Sequence, residues 1–218
     1  MEVTVKTTKH ILTAIVIALG LSAFTGSWVS ADTTDTASAP ADSQLPPGWT
    51  AEDLQAMMEA ATPGEMHKLL ANDIGTWTCK TKMWMSPGAE PTENEGTSTA
   101  KLLLDGRYVQ CDMKVEIPGM GAFDGIGTYG YDNATKQFVS TWLDNFSTGM
   151  MNGTGELSAD GKTLSWKFTG YCPIAKKQIV MREVDTTIDA NTKKLEMFGP
   201  DPKTGKEFQT MEIVMTRK

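Results

Sequence analysis

The chain has 218 residues, 20 basic and 27 acidic side chains, and a formal net charge of −7. This acidic balance argues against nucleic acid and anionic membranes as partners. The chain also holds three cysteines, and because this number is odd, at least one thiol is expected to be free.

Residues 1–31 have the pattern of a secretory signal peptide. Lys6 and Lys9 form a basic start, residues 11–24 are mostly apolar, and small residues precede a cleavage position at Ala31. The apolar run is too short for a comfortable membrane anchor. We therefore expect an exported, soluble protein that is periplasmic or extracellular after cleavage, with no stable membrane anchor.

The segment between the signal peptide and the first strand predicts a linker followed by helices. Residues 32–47 are rich in Ser, Thr, Asp, Ala and Pro, a composition typical of a disordered linker. Residues 48–72 predict a short helical segment: Thr50 and Asp53 have capping-box spacing, and residues 62–65 (Thr-Pro-Gly-Glu) have the form of a second helix start. We expect one or two short helices that lean on the domain that follows.

From Thr76 the apolar residues recur with a period of two, and turn formers interrupt them roughly every eight to twelve positions. The pattern predicts ten strands, near residues 76–85, 97–104, 107–117, 123–132, 137–145, 149–158, 163–169, 178–189, 193–199 and 207–217. Every connection is local, and closing such a sheet removes its exposed edges. The sequence therefore predicts an all-β domain over residues 73–218, a single up-and-down antiparallel β-barrel of about ten strands.

Alternation also predicts which side chains point inward. The predicted interior sets are Trp77, Cys79, Thr81, Met83 and Met85; Val109, Cys111, Met113, Val115 and Ile117; Leu164, Trp166 and Phe168; and Met211, Ile213 and Met215. In the strand 137–145 both Phe138 with Trp142 and Val139 with Leu143 would form an apolar face. The facing of that strand stays open.

Trp77 and Arg217 predict a structural plug at one end of the barrel. In closed up-and-down barrels a Trp at the start of the first strand commonly fills one end, and a cation from the last strand lies over its ring. We therefore assign both residues to stability rather than to catalysis.

The strand 178–189 gives the sharpest functional hint, because Arg182 alternates in phase with Val180, Val184 and Ile188. A buried Arg is uncommon unless it is paired. We expect it either to anchor a ligand carboxylate or to pair internally with Asp112, Asp144 or Glu212, unless a bulge shifts the alternation and turns it outward. The candidate ligand-binding residues of the lumen are Arg182, Met83, Met113, Trp142, Trp166 and Met215.

Signatures of catalysis, metal binding or a cofactor are not evident. His67 is the single histidine beyond the signal segment, is expected to be exposed on the second helix, and completes no Ser-His-Asp triad. Cys79, Cys111 and Cys172 lack metal or redox spacing. Because the predicted strands of Cys79 and Cys111 are separated by a third, we expect no disulfide between them.

Several short motifs, in their order and spacing, resemble one bacterial family. They lie at residues 74–77, 104–107, 130–132, 136–142, 160–164 and 216–218. Over residues 64–218 the chain resembles the family known as domain of unknown function 1579. The resemblance implies a calycin-type, lipocalin-like barrel without implying an activity, and residues 171–173 depart from the family pattern.

The expected function is to bind a small apolar or amphipathic molecule in the barrel, one that bears a carboxylate if Arg182 is its anchor. Two alternatives stay open: a barrel-based enzyme, an isomerase or hydrolase that uses lumen carboxylates, and a ligand-free interaction module whose core is filled by side chains. A cavity of ligand size would separate the module from the other two. The sequence makes no prediction about oligomeric state.

Overall fold

The computed structural model describes residues 45–218, so the predicted signal peptide (1–31) and nearly all of the predicted linker (32–47) lie outside the described residues. In this part of the chain two helices precede ten strands: α1 (Ala51–Ala61), α2 (Glu65–Ala71), β1 (Gly75–Met83), β2 (Thr92–Leu103), β3 (Tyr108–Ile117), β4 (Gly121–Asp132), β5 (Gln137–Asp144), β6 (Met151–Leu157), β7 (Thr163–Cys172), β8 (Lys177–Asp189), β9 (Thr192–Pro200) and β10 (Glu207–Arg217). Each strand pairs antiparallel with the next, and β10 closes onto β1. The predicted up-and-down barrel is confirmed.

The helix starts were predicted correctly for α1 and wrongly for α2. The backbone N–H of Asp53 donates to Thr50 Oγ1 at 3.1 Å, and the N–H of Thr50 donates to Asp53 Oδ2 at 2.9 Å, which completes the capping box. Thr62 instead ends α1, since its hydroxyl donates to the carbonyl of Met58. The N-cap of α2 is Gly64.

His67 is buried, contrary to the expected exposure. Its Nδ1 accepts a hydrogen bond from the Gly64 N–H at 3.0 Å, and its ring packs edge-on against Tyr131 with centroids 6.0 Å apart. The neighbouring turn of α2 brings Leu70 to the same face, where it is also buried. The imidazole therefore caps a helix and fills the space between α2 and the barrel.

The base of the barrel, which we define as the end closed by α2, Trp77 and Arg217, is densely hydrogen-bonded. Trp77 is 2% exposed, and the Arg217 guanidinium lies 4.2 Å from the centre of its ring. The indole N–H donates to the carbonyl of Asp73 at 2.9 Å, and Arg217 donates to the carbonyls of Asn72 and Ile74. This geometry matches the predicted plug, and its contribution to stability stays a prediction.

Glycines on β6 let two large rings lie flat against the barrel wall. Gly153 is directly opposite Phe168, and Gly155 is directly opposite Trp166. A Cβ at either glycine would stand 2.6 to 2.7 Å from the facing ring, closer than van der Waals contact permits. The two rings therefore occupy the room that side chains at these positions would need.

The open question about β5 is resolved by burial. Phe138 and Ser140 are buried, whereas Leu143 is exposed. Phe138 packs with Val109, Trp166 and Phe168 in the apolar core near the base. The inward set of β5 is thus the one that includes Phe138 and Trp142.

Candidate functional site

The barrel encloses a cavity of about 310 Å³. It runs from Leu70 and Trp77 at the base to Met83 and Ile117 at the opposite ends of their strands. We call that opposite end the mouth, which is formed by the connections 84–91, 118–120, 145–150, 173–176 and 201–206. Exposed apolar side chains stand on four of these connections: Met85, Met120, Phe146, Met150 and Ile174.

Most of the predicted lumen residues do line the cavity. Met83, Met113, Trp142, Trp166 and Met215 all contribute to its wall. Met85, which was predicted to point inward, lies beyond the end of β1 and is 70% exposed. Whether the lining residues bind a ligand stays a prediction.

The prediction that Arg182 points into the lumen is wrong. Its guanidinium lies on the outer face of β8, where it donates to Glu207 Oε1 at 2.8 Å and lies 4.0 Å from the centre of the Phe198 ring. Val180, which shares this face, is 56% exposed. The three internal partners expected for Arg182 (Asp112, Asp144 and Glu212) are not its partners, and the predicted carboxylate anchor is lost.

The inner face of β8 instead carries acids, because β7 and β8 pair with Trp166 opposite Glu183. Directly opposite residues of an antiparallel pair point to the same side of the sheet, and Trp166 is in the core. Glu183 and Asp185 therefore line the cavity, together with Lys193 from β9 and Asp73 from the segment before β1. We call these four residues the base cluster.

Lys193 holds two of the carboxylates of the base cluster. Its Nζ donates to Asp73 Oδ2 at 2.6 Å and to Asp185 Oδ2 at 2.9 Å. Burial lowers the pKa of Lys193, but the charges of Asp185 and Asp73 outweigh it and the net shift is upward. The ammonium is therefore charged, and two of its three N–H groups bind carboxylates.

Glu183 is the carboxyl of the base cluster without a partner. It is 6% exposed, and in residues 45–218 no group donates a hydrogen bond to it. Burial, and secondarily the charge of Asp185, raise the pKa of Glu183 to about 8. Its carboxyl is therefore largely protonated at pH 7, in contact with the cavity.

A comparison with known protein families shows which family the chain belongs to. Residues 62–217 match the model of the family described as "Protein of unknown function (DUF1579)". This chain belongs to that family. The resemblance inferred from the motifs is confirmed, and no curated protein matches the chain.

Two solved structures share the barrel of this DUF1579 protein. The crystal structure of Rv2717c from M. tuberculosis has a TM-score of 0.55 at 11% identity, and the match covers 72% of this chain and 99% of that one. The S-type phycobiliprotein lyase CPES from Guillardia theta has a TM-score of 0.51 at 6% identity, with coverage of 74% and 96%. At these identities the likeness shows the fold alone.

Two thiols of the DUF1579 barrel, Cys79 and Cys111, have raised pKa values. Cys79, Cys111 and Cys172 are free, and β2 lies between the strands of Cys79 and Cys111. Burial raises the pKa of Cys79 to about 12, and burial also raises the pKa of Cys111, whose Sγ lies 3.0 Å from Ser98 Oγ. Neither thiol is a thiolate at neutral pH, so neither is an activated nucleophile.

Residues 45–218 contain no group of three or more His, Cys, Asp or Glu side chains placed to hold a metal ion. No helix in this range combines the length and apolar character needed to cross a membrane.

Sequence reasoning missed the base cluster, although one signal could have found it. Cys172 pairs with Lys177 across the β7–β8 turn, so a four-residue turn fixes the register of the whole hairpin. Since Trp166 and Phe168 were correctly placed inside, that register puts Met181, Glu183 and Asp185 inside as well.

Proposed function

We propose that this DUF1579 protein binds a small, largely apolar molecule inside its barrel. The observation that carries the proposal is the cavity of about 310 Å³, a size found in small-ligand sites. Its wall is mostly Met, Trp, Phe and aliphatic side chains, and flexible thioethers adapt to ligands of irregular shape. An empty volume of this size disfavours the alternative of an interaction module with a filled core.

An enzyme on the same scaffold is the second candidate. Glu183 favours it, since an unpaired acid with a pKa of about 8 in a cavity has the properties of a general acid or base. The similar phycobiliprotein lyase is by name an enzyme, so the fold itself does not separate a carrier from a catalyst. Recovery of the bound molecule separates them: a carrier returns it unchanged.

Binding can be tested with the neutral fluorescent probe N-phenyl-1-naphthylamine and with native mass spectrometry of gently purified protein. We expect saturable binding with a dissociation constant of about 1–10 μM, which corresponds to about 7 to 8 kcal/mol. Replacing Met113 in the cavity wall with Trp should fill the cavity and weaken binding by about tenfold.

The matched control is Met120→Trp, because Met120 lies on an exposed mouth connection. Circular dichroism and thermal melting of both variants establish that each is folded. Absence of saturable binding to the wild-type protein, or equal binding by the folded Met113→Trp variant, would contradict the proposal.

Export is proposed on the pattern of residues 1–31 alone. The mature chain should begin near Asp32. Intact mass of the protein recovered from the periplasm or the medium measures this directly, and a mass that retains residues 1–31 would disprove the cleavage.

A further inference from the structure

The charges that line the cavity are unequal in number. Four carboxyls (Asp73, Asp144, Glu183 and Asp185) and one ammonium (Lys193) face it. Lys193 already binds Asp73 and Asp185. Within residues 45–218, the wall therefore offers an incoming ligand carboxylate no unpaired cation, and the ligand would meet acids instead.

The carboxyl groups of the cavity also differ in how many hydrogen bonds their oxygens accept. Asp144, nearer the mouth, accepts hydrogen bonds from the Trp142 indole and from the Phe146 backbone N–H, each at 3.0 Å. At the base, Glu183 has no partner among the described residues, and Asp185 Oδ1 is buried without one. Among the carboxyls of the cavity wall, the buried ones without a hydrogen-bond donor thus lie on β8, while other buried oxygens without a partner lie on β1, β2 and β5.

Glu183 and Asp185 are two residues apart on the inner face of one strand. Side chains at such positions start about 6.6 to 7 Å apart, so one small group with several N–H donors can reach both. Buried polar groups are normally hydrogen-bonded, and a buried acceptor without a donor destabilises the structure. A ligand that donates here would remove that destabilisation.

We propose that the ligand of this cavity carries a protonated amine that binds Glu183 and Asp185 at the base, while its apolar part extends toward the mouth. This inference rests on the proposed function. The proposed ligand group is an ammonium, opposite in charge to the carboxylate predicted from Arg182. Charge-assisted hydrogen bonds between an ammonium and a carboxylate are about twice as strong as neutral ones. The Met-rich mouth half would hold the apolar part.

Binding of an ammonium group should change the protonation of Glu183. The protonated acid would give up its proton to the buffer, and the resulting carboxylate would pair with the ammonium, which stays protonated. The titratable groups that face Glu183 in this step are Asp185 on its own strand, Lys193 on β9 and Tyr129 on β4. Binding of an alcohol requires no such release.

Three probes with the same chain separate these chemistries: decylamine, decanol and decanoate, each measured by calorimetry and by displacement of N-phenyl-1-naphthylamine. We expect decylamine to bind about tenfold more tightly than decanol, and decanoate to bind most weakly. Calorimetry in two buffers of different ionisation enthalpy should show proton release for the amine only.

The decisive variant is Glu183→Gln, which keeps the shape of the protonated acid. It should lose both the preference for decylamine over decanol and the proton release. Glu156→Gln is the matched control, because Glu156 lies exposed on β6, and it should retain both properties.

The outcomes keep the two proposals distinct. If decanol binds as tightly as decylamine, or Glu183→Gln retains the amine preference, the amine inference is overturned and the cavity still binds apolar molecules. If neither the three ten-carbon probes nor N-phenyl-1-naphthylamine binds, the proposed function fails and the amine inference fails with it.

Discussion

The base and the mouth of the cavity are built by opposite means. At the base, Lys193, Asp185 and Trp77 are held by specific hydrogen bonds in a buried setting. At the mouth, the wall is mostly thioether and aliphatic, with Met83 and Met151 among its members, and the surrounding connections are exposed. A rigid polar base fixes how a ligand is oriented, and an adaptable apolar mouth sets few limits on its shape.

The largest contrast between the two regions is expected from tryptophan removal. Trp77→Ala should lower the free energy of unfolding by about 3–5 kcal/mol, because a buried ring and its indole hydrogen bond are lost. Trp142→Ala, in the half-buried mouth region, should cost clearly less. Urea denaturation of both variants measures the difference, and equal losses would break the comparison.

Two adjacent lysines on β9, Lys193 and Lys194, allow a buried ion pair to be compared with a more exposed one. Lys193→Met leaves the mostly buried Asp185 and the partly exposed Asp73 without their cation and should cost about 3 kcal/mol of stability. The next residue, Lys194, binds Glu196 and Glu212 in a more exposed setting, and Lys194→Met should cost less than about 1 kcal/mol.

The lysine comparison is again made by urea denaturation at neutral pH. If Lys193→Met is as stable as Lys194→Met, the ion pairs of the base cluster contribute nothing to the fold.

The pH dependence of stability tests Glu183 alone. An acid whose pKa rises from 4.5 to about 8 on folding holds its proton more tightly in the native state, so its contribution is complete below pH 4.5 and is lost as the pH approaches 8. Between about pH 5 and 8, the wild type should therefore lose about 1 kcal/mol per pH unit relative to Glu183→Gln.

Asp185 and Lys193 remain in both proteins, so the comparison isolates Glu183. Denaturation series at several pH values give the result, and a stability difference that does not vary with pH would show that Glu183 ionises normally in the folded protein.

The smallest effect is expected at the mouth. Met150 is 56% exposed on the β5–β6 connection, and Met150→Gln should change the free energy of unfolding by less than about 0.5 kcal/mol. A larger loss would mean that the mouth is packed as tightly as the base.

The barrel itself could be predicted from the sequence because the patterns that specify it are local. Alternation and turn formers recur along one strand and the next, and sequential antiparallel pairing needs no long-range information. The placement of Trp77 opposite Arg217 in the β1–β10 register follows from the closure of such a sheet.

The same reasoning could not predict which residues of β8 face the barrel interior. The rule that apolar residues face inward selects Val180, Val184 and Ile188, whereas the inner face holds Glu183 and Asp185. The rule fails because a cavity lets charged groups face inward without being packed against apolar atoms. His67 shows a related failure, since a cap partner within its own helix turn allows a polar ring to be buried.

Because Gly153 and Gly155 have no side chains, substitutions at these two positions would change the width of the barrel interior. Because Phe168 and Trp166 rest where side chains would otherwise stand, a single methyl group added at either glycine must displace a ring toward the lumen. The size of the cavity thus depends as much on two missing side chains on one strand as on the large residues across from them. Gly153→Ala or Gly155→Ala would reduce it by moving Phe168 or Trp166, without replacing any charged group.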